Sequence, residues 1–126
     1  MTKNILIVED EVIISLDLKI TIESLNYNVV GMAISGEKAI QLATELSPDL
    51  ILMDIFIKGD LTGIDVAEKI EDLNIPIMYI TANSNPDIIR RIVNSKNKEY
   101  VSKPFEKEKI KEKISKIFKE SEEHSD

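Results

Sequence analysis

The chain has no cysteine, no tryptophan and a single histidine, with only four glycines and four prolines. Without cysteine there is no disulfide framework, thiol nucleophile or thiolate metal site. Three Phe and three Tyr are the whole aromatic complement, which leaves few platforms for stacking single-stranded nucleic acid. Excess positive charge is also missing. A net charge of −7 repels phosphate backbones and anionic membrane surfaces, so neither nucleic acid nor membrane is expected as a direct partner. No apolar run approaches the roughly 18 residues of a membrane span. Met1-Thr2-Lys3-Asn4 leads into a strand within a few residues, with no room for a signal peptide. The expectation is a soluble, cytoplasmic protein.

What is present is a regular alternation of short apolar runs and amphipathic stretches over 126 residues, enough for one domain with its own core. Asp49-Leu50-Ile51-Leu52-Met53-Asp54 anchors the reading. Four consecutive apolar residues between Pro48 and Gly59 are too few for a helix and fit a strand buried on both faces. Asn4 to Val8, Val29 to Ala33, Ile77 to Ile80 and Glu99 to Ser102 supply four more strands.

Helical stripes lie between them. They are Ile14, Leu18, Ile22 and Leu25; Ala39, Leu42, Ala43 and Leu46; Ile64, Ala67, Ile70 and Leu73; Ile88, Ile89, Ile92 and Val93; and Ile110, Ile114, Ile117 and Phe118. Ser35, Thr62 and Asn85 are placed to cap helices, the last with Pro86 at the first helical position. Strict alternation with short connections predicts a parallel α/β sheet covered on both faces. Glu120 to Asp126 reads as a solvated acidic tail, and His124 within it as a tail residue.

In open α/β sheets chemistry collects at the carboxyl ends of the strands. Glu9-Asp10-Glu11 follow the first strand, Asp54 the third, Thr81 the fourth and Lys103 the fifth. Each has an ordinary alternative: Asp10 as a helix cap, Thr81 as a turn hydroxyl, Lys103 as a solvated side chain, Tyr100 as an edge-strand aromatic. Asp54 resists that treatment, because an acid directly after a buried strand needs a partner or a metal. Glu9, Asp10 and Asp54 are hard oxygen donors suited to Mg²⁺. A carboxylate beside Mg²⁺ can attack a phosphoryl group, with a hydroxyl and a fixed ammonium to meet the charge on its oxygens.

The sequence resembles the receiver domain of two-component response regulators across nearly its whole length. The resemblance is carried by Ile5-Leu6-Ile7-Val8-Glu9-Asp10-Glu11, Pro48 to Asp54, Gly63-Ile64, Ile80-Thr81-Ala82 and Lys103-Pro104-Phe105. It implies a doubly wound, flavodoxin-like fold with strand order 2-1-3-4-5 and five helices; the domain is expected over residues 1–120, with the acidic composition of 121–126 reading as a disordered tail. It implies Asp54 as phosphoacceptor, and Mg²⁺ held by Asp10, by Glu9 through water, by Asp54 and by the Phe56 carbonyl. Thr81 and Lys103 would contact the phosphoryl oxygens, and Tyr100 would act with Thr81 as a switch.

The implied partners are a sensor histidine kinase, a downstream protein target and, on fold analogy, a second copy of the chain. The domain would be no enzyme in the ordinary sense, but would catalyse its own phosphorylation and dephosphorylation. It would signal through the face formed by the fourth helix, fifth strand and fifth helix.

Two features depart from the family pattern. The loop after Asp54 lacks Met-Pro and is one residue longer before Gly63, like a variant found where receivers accompany sensor modules. Phe56 is bulky and apolar where many relatives are polar, which suggests a long-lived phosphorylated form. Three competing readings fit less well. A binding module that is never phosphorylated would not need the full acid, hydroxyl and lysine set. A Mg²⁺-dependent aspartyl phosphatase would carry a second aspartate where Phe56 stands. A flavin or nucleotide site would need a Gly- or Ser-rich first loop.

Overall fold

The structure, a computed structural model, describes residues 2–82, 85–95 and 97–123, with side chains through residue 120. Its strands are β1 (Asn4–Val8), β2 (Asn28–Ala33), β3 (Leu50–Met53), β4 (Ile77–Thr81) and β5 (Lys98–Ser102). Its helices are α1 (Val12–Ser24), α2 (Gly36–Leu46), α3 (Gly63–Lys69), α4 (Pro86–Val93) and α5 (Lys107–Glu123), with a 3₁₀ turn at Glu71–Leu73. All four strand pairings are parallel and the order is β2-β1-β3-β4-β5, the order the resemblance implied.

The continuous apolar runs became the central strands: β3 and β4 are buried at every residue, and β1 at all but Asn4. The weaker runs β2 and β5 lie at the edges, half in solvent. Alternation along each strand sorts the core into two layers. Leu6, Val8, Ile51, Met53, Ile77 and Tyr79 face α2, α3 and α4. Ile5, Ile7, Leu50, Leu52, Met78 and Ile80 face α1 and α5, where Leu18, Ile22, Ile110 and Ile114 meet them. Each fully buried Ile or Leu side chain contributes about 1.5–3 kcal/mol, and the two layers together clamp the strand ends in register.

Three cap expectations hold. Ser35 Oγ accepts from the Lys38 N–H, Asn85 Oδ1 from the Asp87 N–H, and Thr62 forms a reciprocal capping box with Asp65. The Asp65 carboxyl lies below its usual range because the Thr62 N–H and hydroxyl bond its charged form.

The helical stripes need three corrections. Leu73 turns outward, because α3 stops at Lys69 and the following 3₁₀ turn has three residues per turn, breaking the stripe. Leu46 covers Gly31 on edge strand β2 and keeps one side in water. Val93 ends the eight-residue α4, in which only Ile92 is fully buried. On α1 the stripe is seated by Leu18 and Ile22, while Val12, Ile13, Leu16 and Ile20 are exposed. Helix α5 continues to Glu123, three residues into the stretch read as a tail. His124 and the rest of the tail lie outside the described residues, as do Asn83 and Ser84 of the loop after Thr81. Among the described residues no helix is long and apolar enough to cross a membrane.

Candidate functional site

Glu9, Asp10, Asp54 and Lys103 sit one or two positions beyond a strand and Thr81 is the last residue of β4, and the sheet's hydrogen bonding extends to the backbones of Glu9, Asp54, Thr81 and Lys103. The Asp54 N–H donates to the Val8 carbonyl at 3.0 Å, and the Glu9 N–H to the Ala33 carbonyl at 3.0 Å. The Lys103 N–H donates to the Thr81 carbonyl at 2.9 Å. These bonds tie the end of β1 to those of β2 and β3, and the end of β4 to that of β5, at the carboxyl edge of the sheet. The first turn of α3 approaches the same edge so closely that a Cβ on Gly63 would collide with the Asp54 carbonyl oxygen.

The side chains converge accordingly. Lys103 Nζ donates to Asp54 Oδ2 at 2.8 Å and to Glu9 Oε2 at 3.1 Å. Glu9 Oε1 accepts from the Glu11 N–H at 3.3 Å, and Asp54 Oδ1 from the Phe56 N–H at 3.4 Å. Glu9, Asp10 and Asp54 each bring a carboxylate oxygen to within 4.8 Å of the others. Glu9 is 1% exposed and Asp54 8%, while Asp10 is half-exposed.

Burial pushes the Glu9 carboxyl above its usual range. The Lys103 hydrogen bond only partly offsets this, and the Asp54 charge adds to it. Burial alone would lower the Lys103 ammonium, but its hydrogen bonds to Asp54 and Glu9 outweigh that and raise it. Three carboxylates cluster here, and the one ammonium is paired with two of them. A small divalent cation with oxygen preference would balance that excess, so the donor set fits Mg²⁺.

The ordinary alternatives for Asp10, Thr81 and Lys103 do not describe what is seen, whereas Tyr100 is an aromatic on edge strand β5, as its ordinary alternative has it. The N-cap of α1 is Glu11, which makes no side-chain cap bond, so Asp10 is not a cap. Thr81 is buried at the end of β4, and the Lys103 side chain is only 14% exposed. Tyr100 pairs with Tyr79 in register and packs half-buried against the α4 side of the core. Since Thr81 lies two residues beyond Tyr79, it and Tyr100 share one face of the sheet. Phe56 leaves its ring 52% exposed while its neighbours Ile55 and Ile57 are buried.

Sequence reasoning gave Gly63 no role, although a glycine directly after the cap Thr62 was a visible signal of close backbone approach. It also read residues 55–61 as a loop of mixed character and missed the bridge from Lys58 to Ser35, the N-cap of α2.

A family model described as the response regulator receiver domain matches residues 5–115. Transcriptional regulatory protein PdtaR of Mycobacterium tuberculosis is 36% identical over 104 residues, covering 82% of this chain and 50% of that protein. Chemotaxis protein CheY of Thermotoga maritima is 31% identical over 121 residues, covering 94% of this chain and 100% of that one. The chain therefore spans half the length of the first relative and the whole of the second. Among solved structures, the signal receiver domain of a modulated diguanylate cyclase from Desulfovibrio desulfuricans G20 aligns with a TM-score of 0.86 and 32% identity. That alignment covers 98% of this chain and 100% of that chain.

Proposed function

The chain belongs to the response regulator receiver family, and from that premise we propose that it is a phosphorelay switch whose phosphoacceptor is Asp54. The observation that carries this is the Lys103 ammonium held against both Asp54 and Glu9, with Asp10 in the same acidic cluster and Thr81 at the end of β4, on one sheet edge.

In this reading a carboxylate oxygen of Asp54 attacks the phosphorus of a phosphohistidine on a sensor kinase. The new P–O bond replaces the P–N bond, and the imidazole leaves with its electron pair. Lys103 follows the charge onto the transferred group's oxygens, and the Thr81 hydroxyl donates to another. Glu9, Asp10, Asp54 and the Phe56 carbonyl would hold Mg²⁺, which when bound supplies electrostatic stabilisation of the transferring oxygens. The catalytic groups belong to the acceptor itself, so small phosphodonors should serve, and hydrolysis of the acyl phosphate proceeds in the same site.

Drawing Thr81 toward a phosphoryl oxygen changes what Tyr100 can pack against on their shared face. The population then shifts toward an arrangement of α4, β5 and α5 that a downstream protein or a second copy of the chain reads. A receiver with this role works in the cytoplasm, where a kinase and nucleotide are at hand.

Beryllofluoride tests the site without turnover, since it mimics a phosphoryl group on a carboxylate. A bound ¹⁹F resonance is expected only with Mg²⁺ present and not in Asp54→Ala. An undiminished resonance in Asp54→Ala, or none in the wild type, would contradict the proposal.

A further inference from the structure

The loop between Asp54 and α3 is fastened at several points to an element outside the catalytic cluster. Lys58 forms an isolated parallel bridge with Ser35, the N-cap of α2. Ile57 is buried in the core layer beneath α2 and α3. Gly36, the first residue of α2, lies so close that a Cβ there would stand 2.8 Å from Leu61 Cβ and 3.0 Å from Val66 Cγ2. Gly59 turns the loop at φ +100°, and the Glu37 carboxylate lies 3.2 Å from where its Cβ would be. At the loop's start the Ile55 carbonyl accepts from the Gly63 N–H at 2.6 Å.

Phe56 lies between these fixed points with its own ring largely in solvent, so its neighbours set its backbone. That backbone matters, because its N–H donates to Asp54 Oδ1. We propose that the Ser35–Lys58 clasp, closed by Gly36 and Gly59, is a positioning device for the phosphoacceptor. It holds the Phe56 backbone so that its N–H orients the Asp54 carboxylate and its carbonyl faces the cation. The clasp deepens the phosphorelay reading and rests on it. Gly36 and Gly59 act only through Phe56 and are positioning residues. A Cβ on Gly36 meets Leu61 of the loop and Val66 of α3, while at Gly59 the φ of +100° strains any L side chain and so shifts the loop's turn.

The test compares the wild type with Gly59→Ala and Gly36→Ala in the full chain. Mg²⁺ affinity is read by titration calorimetry and phosphorylation by acetyl phosphate at saturating Mg²⁺. Asn74→Ala is the control, since it places backbone strain (φ +55°) of the same kind at the opposite edge of the sheet. The glycine variants should bind Mg²⁺ about tenfold more weakly and regain most of their phosphorylation when Mg²⁺ saturates, while Asn74→Ala binds as the wild type does. Gly59 is at an exposed turn, so its variant carries the test even if Gly36→Ala folds poorly. Wild-type Mg²⁺ affinity in Gly59→Ala, or equal weakening in Asn74→Ala, would overturn the clasp. A wild type that takes neither Mg²⁺ nor a phosphoryl group would overturn the phosphorelay reading beneath it, which is a different result.

Discussion

Lys103 Nζ lies 2.8 Å from Asp54 Oδ2 and 3.1 Å from Glu9 Oε2, so one ammonium spans the two most buried acids of the site. It is their internal counter-ion. It also occupies oxygens that a cation would seek, so in the proposed switch Lys103 would compete with Mg²⁺ before phosphorylation and would partner the phosphoryl group after it.

Lys103→Met should therefore destabilise the metal-free protein. Breaking a buried pair costs about 3–5 kcal/mol, and solvent at the mouth of this site reduces the expectation to about 2 kcal/mol. Saturating Mg²⁺ should recover most of that loss, while phosphorylation stays slow. Urea denaturation with and without Mg²⁺ checks it. An equal loss in both conditions would mean that the lysine does not compete with the cation.

Phe56 places a half-exposed ring two residues beyond Asp54, the proposed phosphoacceptor. If the ring hinders the hydrolytic water, Phe56→Asn should shorten the lifetime of the phosphorylated form severalfold without changing how fast it forms. Decay of the labelled protein after donor removal measures this, and an unchanged or longer lifetime would sink the idea.

Glu99 on β5 is bonded by Lys113 of α5 at 2.8 Å and approached by Lys116 at 3.4 Å. Partial burial works to raise its carboxyl, but the Lys113 bond and the two lysine charges outweigh it and hold the carboxyl below its ordinary value of 4.5. A depressed carboxylate contributes stability above its unfolded pKa and loses it as pH falls through the folded one. Glu99→Gln should thus be less stable than wild type by up to about 1 kcal/mol at pH 7. The gap should close below roughly pH 4. Thermal melts across that range decide it, and a gap independent of pH would assign the effect to packing.

The edge that carries the candidate site was legible because its strands are unambiguous. Leu50 to Met53 and Ile77 to Ile80 are too short and too apolar for anything but buried parallel strands, and the residue after each run is polar. Strand order was a different matter. Alternation alone leaves it open, and the resemblance carried by Glu9-Asp10, Asp54, Thr81 and Lys103-Pro104 supplied it.

Helix faces were read less well where periodicity meets an end. Leu46, Leu73 and Val93 continue their stripes in sequence, yet the helix stops or tightens and the side chain is released to solvent. Helix α1 is apolar nearly all round, yet its four-four-three stripe still placed Ile22, which is buried, inside and left out Ile20, which is exposed. The clasp of residues 55–61 on α2 was invisible for another reason. It depends on glycines at 36 and 59 and on a backbone bridge, which leave no hydrophobic period to read.

The most direct test of the central claim is intact mass after incubation with acetyl phosphate and Mg²⁺, for the wild type and Asp54→Ala. The account predicts a gain of one phosphoryl group in the wild type, lost when Mg²⁺ is chelated and absent from the mutant. No gain in the wild type at any Mg²⁺ concentration, or the same gain in Asp54→Ala, would contradict it.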